Sequence, residues 1–348
     1  MDALVVIPRL DGEPFVGATR GDIVESVHRV AACAVDRNGA TVFSMGTIDV
    51  PVFLRSTAKP FIAAAAVREG IVERFGLEPR EIAVMAASHN GEPFHIDAVR
   101  SLLGKIGVSE DALACGAHPP YDPASAQALV RQGIPFGAIH NNCSGKHAGI
   151  LALCKVLEAD ISTYREAGNA AERRILDLCA RLCGQSAGEF VLGIDGCGIP
   201  VFATPLRNAA LAFSRFATLD GLDDRDARAL SIVRDATIAY PQYVAGTGEF
   251  DSALIRVGNG RVAAKSGAEG VFGMADVATG TGAVLKVVDG SSRACAPAAL
   301  AIARELDLLD ANMLAELNDF ARPQLFNRAG TRVGSIVTFP TAFAANRP

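Results

Sequence analysis

No stretch of this chain reaches the roughly 18 consecutive apolar residues that a membrane-crossing helix needs. The longest candidate, Phe61 to Val67, is a short alanine-rich run. Basic residues are not in excess: 33 Lys and Arg stand against 38 Asp and Glu, a net charge of −5. That removes the basic stripe of a nucleic-acid binder and the cationic patch that holds a protein to anionic lipid. Neither nucleic acid nor membrane is expected as a partner. Cysteine is sparse, eight in 348 residues, and scattered, unlike the dense pattern of a small disulfide scaffold. Glycine shows no triplet period, and no internal repeat, long linker or low-complexity tract is visible. Met1 to Arg9 carries Asp2 where an export signal wants a basic residue, and its apolar run is short. The expectation is a cytoplasmic protein with reduced thiols.

Half of the residues are apolar, one fifth are charged, and mean hydropathy is +0.26. Such a chain folds rather than staying disordered, and at this length it buries roughly three quarters of its unfolded surface. Residues 1–20 are broken by Pro and Gly and read as an arm or loop. Ser26 to Val35 and Ala40 to Gly46 read as strands joined by the turn Asp36-Arg37-Asn38-Gly39. Ser56 is placed as the N-cap of a helix running to about Glu69, with Gly70 as its stop. Pro93 to Ile106, Pro123 to Arg131, Lys146 to Glu158, Ala170 to Cys183 and Asp224 to Ala239 carry helical apolar spacing. Ser252 to Val257 and Arg261 to Lys265, around Gly258-Asn259-Gly260, read as a second hairpin. Ala283 to Val288 and Arg332 to Phe339 are further strands, while Ala296 to Leu306 and Asn312 to Phe320 are helical. The fold class is therefore α+β. Both chain ends (23–56 and 250–340) build an antiparallel sheet, and a mainly helical region (57–249) is inserted between them in a single catalytic unit, 1–348.

Several short motifs carry chemistry. Ser56 and Lys59 form S-x-x-K at a helix start, the spacing of acyl enzymes that use lysine as the base. A serine hydroxyl needs such a base, and a lysine serves only when burial or a second cation lowers its pKa. Lys265-Ser266-Gly267 is a K-S-G strand and Ser88-His89-Asn90 an S-x-N triplet, the other two walls of β-lactamase-type sites. His140 to Gly149 packs Asn, Cys, Lys and His before a helix. It is no P-loop, since Gly is missing five residues before Gly145 and no Ser or Thr follows Lys146. Cys143 and Cys197 read either as buried core cysteines or as two thiolate ligands brought together. His89, Glu92 and His95 mimic a metal triplet that Pro93 interrupts. Gly246 to Asp251 reads as a glycine-rich turn before a strand.

The set RSTAKP (55–60), ASHNGE (87–92), HNNCSGKHAG (140–149), GIDGCGIP (193–200), AGTGEFDS (245–252) and KSGAEG (265–270) resembles the class 3, rhizobial-type L-asparaginases, also labelled asparaginase II. The resemblance runs from about Ile23 to Phe339. It implies a β-lactamase/penicillin-binding-protein-like fold, a homodimer, and hydrolysis of L-asparagine to L-aspartate and ammonia. It implies two Ser–Lys pairs, Ser56 with Lys59 and Ser88 with Lys265. It implies a zinc site of Cys143, Lys146 and Cys197, modulatory or structural rather than nucleophile-activating, and no organic cofactor. Arg55, His147 and Asp195 are implied as substrate-binding residues, Asp195 for the substrate ammonium. The chain departs from some relatives at Asn90-Gly91, where they carry paired serines, and at Asp251, where they carry a cysteine near the metal.

Three other functions stay open on the sequence: a glutaminase, another serine amidohydrolase of the β-lactamase and penicillin-binding group, and a metal-binding protein without catalysis. The paired serines and lysines separate the first two from the third, because a passive binder has no need of them.

Overall fold

A computed structural model of the chain describes residues 9–340. Eleven strands occur among them: β1 Glu13–Arg20, β2 Ile23–Val35, β3 Thr41–Met45, β4 Pro51–Phe53, β5 Val191–Ile194, β6 Pro200–Pro205, β7 Val262–Gly267, β8 Val271–Asp276, β9 Thr281–Val287, β10 Gln324–Phe326 and β11 Arg332–Thr338. The main sheet runs β10-β11-β1-β2-β9-β8-β7, with β3 also on β2. Every pair in it is antiparallel. Both chain ends thus meet in one sheet.

The long strand β2 organises it. Its outer half pairs with β1, and its inner half pairs with β9 on one edge and β3 on the other. Strand side chains alternate between faces. Ala31, Cys33 and Val35 enter the core shared with the helical layer, while Val30, Ala32 and Ala34 enter a second core on the opposite face. A sheet buried on both faces explains the unbroken apolar run Val30 to Val35. The second face is covered by helices Phe250–Val257 and Cys295–Glu305.

On the first face, helix Leu206–Thr218 lies so close that a Cβ on Gly282 would stand 2.1 Å from the Ser214 amide nitrogen. Glycine at 282 is the condition for that approach. Helix Lys59–Arg68 sits centrally, with nine of its ten residues buried, the signature of a helix that is apolar all round. Phe61 anchors it edge-on to Phe213 and Phe216, at ring separations of 5.3 and 5.9 Å.

Several elements differ from the sequence expectation. Residues 13–20, read as an arm, form β1, because β2 and β11 supply partners for their backbone; residues 1–8 lie outside the described region. Ser252 to Val257, read as a strand, belongs to helix Phe250–Val257. Phe250, Leu254 and Val257 have helical spacing, and tertiary burial favours that period over the β-branched content. Ser56 does not cap a helix. It lies in the 3-10 turn Arg55–Ala58, and the α-helix starts at Lys59. β4, although it lies in the stretch 23–56 expected in the main sheet, instead pairs with β6 of the inserted region, and β4, β6 and β5 form a separate three-stranded sheet.

Candidate active site

The site forms where the helical layer meets the β7 edge of the main sheet. The chain leaves β4 through Leu54, whose N–H donates to the Phe202 carbonyl at 2.9 Å. Arg55 then adopts φ +50°, a left-handed conformation that costs a non-glycine residue roughly 1–3 kcal/mol. Such strain persists only where the surroundings enforce it, and here it presents the next residue, Ser56. Gly267, at the end of β7, packs against this turn: its Cβ position lies within 3.1 to 3.3 Å of Leu54, Thr57 and Arg55. The K-S-G strand therefore stands beside the S-x-x-K turn.

Ser88 to Asn90 completes the third wall. The Ser88 N–H donates to the Val244 carbonyl (3.0 Å), Asn90 N–H to Ala245 (2.7 Å) and His89 N–H to Asn142 (3.2 Å). Arg55, Ser56, Lys59, Lys146 and Asp195 line one small cavity.

Three lysines converge there, and their partners set them apart. Lys59, Lys146 and Lys265 are at most 2% exposed. Lys265 donates to the Asp251 carboxylate at 2.8 Å. Lys146 donates to Cys197 Sγ at 2.9 Å. Lys59 donates to the Ala87 carbonyl (2.6 Å), Ser88 Oγ (2.9 Å) and the Asn142 carbonyl (3.4 Å), and it also faces the Cys143 sulfur. Burial pulls the Lys59 ammonium down to about 8; Lys146 and Lys265 add to this and Cys143 opposes it. Burial also acts on Lys146, but Cys143, Cys197 and Asp195 outweigh it and hold that ammonium charged.

Arg55 Nε donates to Asp195 Oδ1 at 2.8 Å. Burial works against the Asp195 carboxylate, yet Lys146, the Gly196 N–H and Arg55 hold its pKa below the usual range. His147 is fully buried and neutral, because burial and the charges of Lys146 and Lys59 oppose its protonation. Its Nδ1 bonds the Tyr164 hydroxyl at 2.7 Å, and that oxygen accepts the Ala114 N–H at 2.8 Å. The hydroxyl proton thus points to Nδ1, leaving His147 Nε2 as a buried donor without a partner among the described residues.

All ten residues singled out in the sequence lie in or against this assembly. A side-chain hydrogen bond joins Lys59 to Ser88; among the described residues no side-chain bond joins Ser56 to Lys59 or Ser88 to Lys265. Tyr164 was not anticipated. Ser266 was marked only as part of the K-S-G strand, and Asp251 only as a departure from relatives at the end of a glycine-rich turn; neither reading pairs Asp251 with Lys265. His89 and His95 stack on one another at 5.0 Å, and His95 bonds the Gln242 carbonyl. Glu92 instead takes the Thr247 N–H at 2.8 Å, so this triplet does not converge.

Among the described residues no three His, Cys, Asp or Glu side chains stand together as a metal site. Cys143, Lys146 and Cys197 do converge. Cys143 is the thiol held as thiolate, by the Cys197 thiol that bonds to it and by Lys146 and Lys59. Two sulfurs and one amine are soft donors that suit zinc, provided Lys146 gives up its proton.

The family model for L-asparaginase II matches residues 16–338. The chain belongs to the L-asparaginase II family. No curated protein matches it. Among solved structures, Mglu in its glutamate form is 16% identical with a TM-score of 0.44, over 80% of this chain and 61% of that one. Mglu in its native form with 4.3 M NaCl is 15% identical with a TM-score of 0.39, over 82% and 63%. The chain therefore spans about three fifths of these Mglu chains. A candidate beta-lactamase from Bacteroides dorei DSM 17855 is 15% identical with a TM-score of 0.38, over 79% and 93%. With TM-scores below 0.5, these likenesses bear on neither reaction nor site. Among the described residues no helix is long and apolar enough to cross a membrane.

Proposed function

We propose that this protein hydrolyses L-asparagine to L-aspartate and ammonia through an acyl-enzyme on Ser56. The observation that carries the reading is the Lys59–Ser88 bond at 2.9 Å, beside the cavity that Ser56 lines. Lys59 is the buried lysine that donates to Ser88, and with a pKa of about 8 roughly a tenth of it is neutral at pH 7. Neutral Lys59 takes the proton as Ser56 Oγ attacks the side-chain amide carbon. Backbone N–H groups of the strained turn face the developing oxyanion. Ser88, already bonded to Lys59, passes that proton to the departing amine, and ammonia leaves. Water then attacks the acyl group, Lys59 takes its proton, and Ser56 is regenerated as aspartate departs. Asp195 meets the substrate ammonium, and His147 Nε2 offers a donor.

A zinc ion would be held by Cys143, Lys146 and Cys197, where it would neutralise thiolate charge and fasten the Asp195 loop to the helix carrying Lys146. The chemistry above uses only the chain's own groups.

The test is ammonia release from L-asparagine, with L-glutamine in parallel, by wild type and Ser56→Ala. The Ser56 hydroxyl has no hydrogen-bond partner among the described residues, and the bond from the Lys59 N–H to the Ser56 carbonyl survives in Ser56→Ala, so the variant folds. Activity falls at least about 10³-fold if Ser56 is the nucleophile. Mass spectrometry of the trapped acyl-enzyme checks the assignment; an adduct on Ser88 would reverse the serine roles.

A further inference from the structure

We infer that Asp251 is a positioning residue: it pins Lys265 and the Ser266 end of its strand in place beside the Ser56–Lys59 turn. This rests on the Ser56–Lys59 reading above and deepens it.

The geometry is specific. Asp251 is 3% exposed and Lys265 is 0% exposed. One carboxylate oxygen, Oδ2, accepts three bonds of 2.8 Å: from Lys265 Nζ, the Ser266 N–H and Ser266 Oγ. Lys265 Nζ also donates to the Ser266 carbonyl at 3.0 Å and reaches Ser266 Oγ at 3.3 Å. Asp251 is the carboxylate that faces this buried lysine, at 2.8 Å. Lys146 and Lys59 instead both face the Cys143 and Cys197 sulfurs. The two ends of the pair come from different elements, helix Phe250–Val257 and β7. The ion pair therefore fixes where Lys265 stands relative to Ser56, through the same strand that packs on the Arg55 turn. Lys265 is also one of the groups that lower the pKa of Lys59.

The test is a double-mutant cycle of wild type, Asp251→Asn, Lys265→Met and the double variant. In wild type Asp251→Asn lowers kcat 10- to 100-fold with KM changed less than 3-fold. In the Lys265→Met background the same change alters kcat less than 2-fold, and Asp251→Glu recovers part of the loss. Equal losses in both backgrounds, or no loss in either, overturn the inference. If Asp251→Asn fails to fold because Lys265 is left unpaired, the double variant, which buries no charge, supplies the comparison against Lys265→Met. A second readout is independent of substrate. With lysine 15N-labelled at Nζ, wild type shows a protected Nζ proton signal that is absent in Lys265→Met and is lost in Asp251→Asn. If that signal persists in Asp251→Asn, the inference fails even where asparagine is hydrolysed. If wild type releases no ammonia from asparagine, the reaction reading fails while the labelled signal still decides the role of Asp251.

Discussion

Glu172 offers the sharpest test of the electrostatics. It lies in helix Ala170–Cys183, 2% exposed, and neither carboxylate oxygen has a hydrogen-bond partner among the described residues. Burial pushes its pKa up to about 8 from 4.5, with Lys146 only partly opposing. An acid whose folded pKa is raised contributes its full stability below the unfolded pKa and loses it as pH climbs to the folded one. At 1.36 kcal/mol per unit, 3.5 units correspond to a cost of about 5 kcal/mol above pH 8, as an upper limit. The variant Glu172→Gln mimics the protonated acid in shape and polarity. At pH 5 it should match wild type within about 1 kcal/mol. At pH 9 it should be the more stable protein, by several kcal/mol. Urea unfolding of both proteins at pH 5, 7 and 9 measures this: the wild-type midpoint falls across the series relative to the variant. A constant difference between the two proteins at all three pH values would refute the reasoning, and so would a loss in Glu172→Gln at pH 9.

Further outcomes follow from the packing and the site. Gly282→Ala places a methyl group on the backbone of helix Leu206–Thr218; it should cost at least about 3 kcal/mol, read as a lower melting temperature. Arg55→Ala removes the cation beside Asp195 and with it the ion pair that ties the strained turn to the Asp195 loop. Steady-state kinetics should show KM for asparagine up about 10-fold and kcat reduced as well, because the turn also presents Ser56. Cys197→Ser exchanges a thiol that Lys146 contacts at 2.9 Å. Zinc measured by elemental analysis after dialysis should drop at least 10-fold against wild type, and unchanged content would remove Cys197 from the ligand set.

The helical layer was legible because amphipathic spacing and caps agree there: Pro93–Ile106, Ala170–Cys183 and Asp224–Ala239 appear with the bounds the periodicity suggests. Both ends of the chain were rightly expected in one antiparallel sheet. Helix Phe250–Val257 was mistaken for a strand because its eight residues are rich in Ile, Leu and Val, and so short a run fits either period. β1 was overlooked because its Pro14 and Gly17 look like breakers until β2 and β11 are in place. At the site, the motifs marked the lysines and serines, but pairing is a matter of three dimensions. Nothing in S-x-x-K says that Lys59 reaches across to Ser88, nor that an aspartate fourteen residues before Lys265 lies opposite it.

The burial of lysine has a practical side. The chain has six lysines, at 59, 105, 146, 155, 265 and 286. Three are sealed in the site, Lys105 is tied to buried Glu81, and Lys286 is half-buried. Lys155 alone among them is exposed. Amine-directed chemistry on the folded protein is therefore close to single-site: apart from the N-terminal amine, a polymer, dye or solid support should couple at one position, on a helix away from the cavity. The arginine-rich surface supplies the rest of the positive charge, and such reagents leave it untouched.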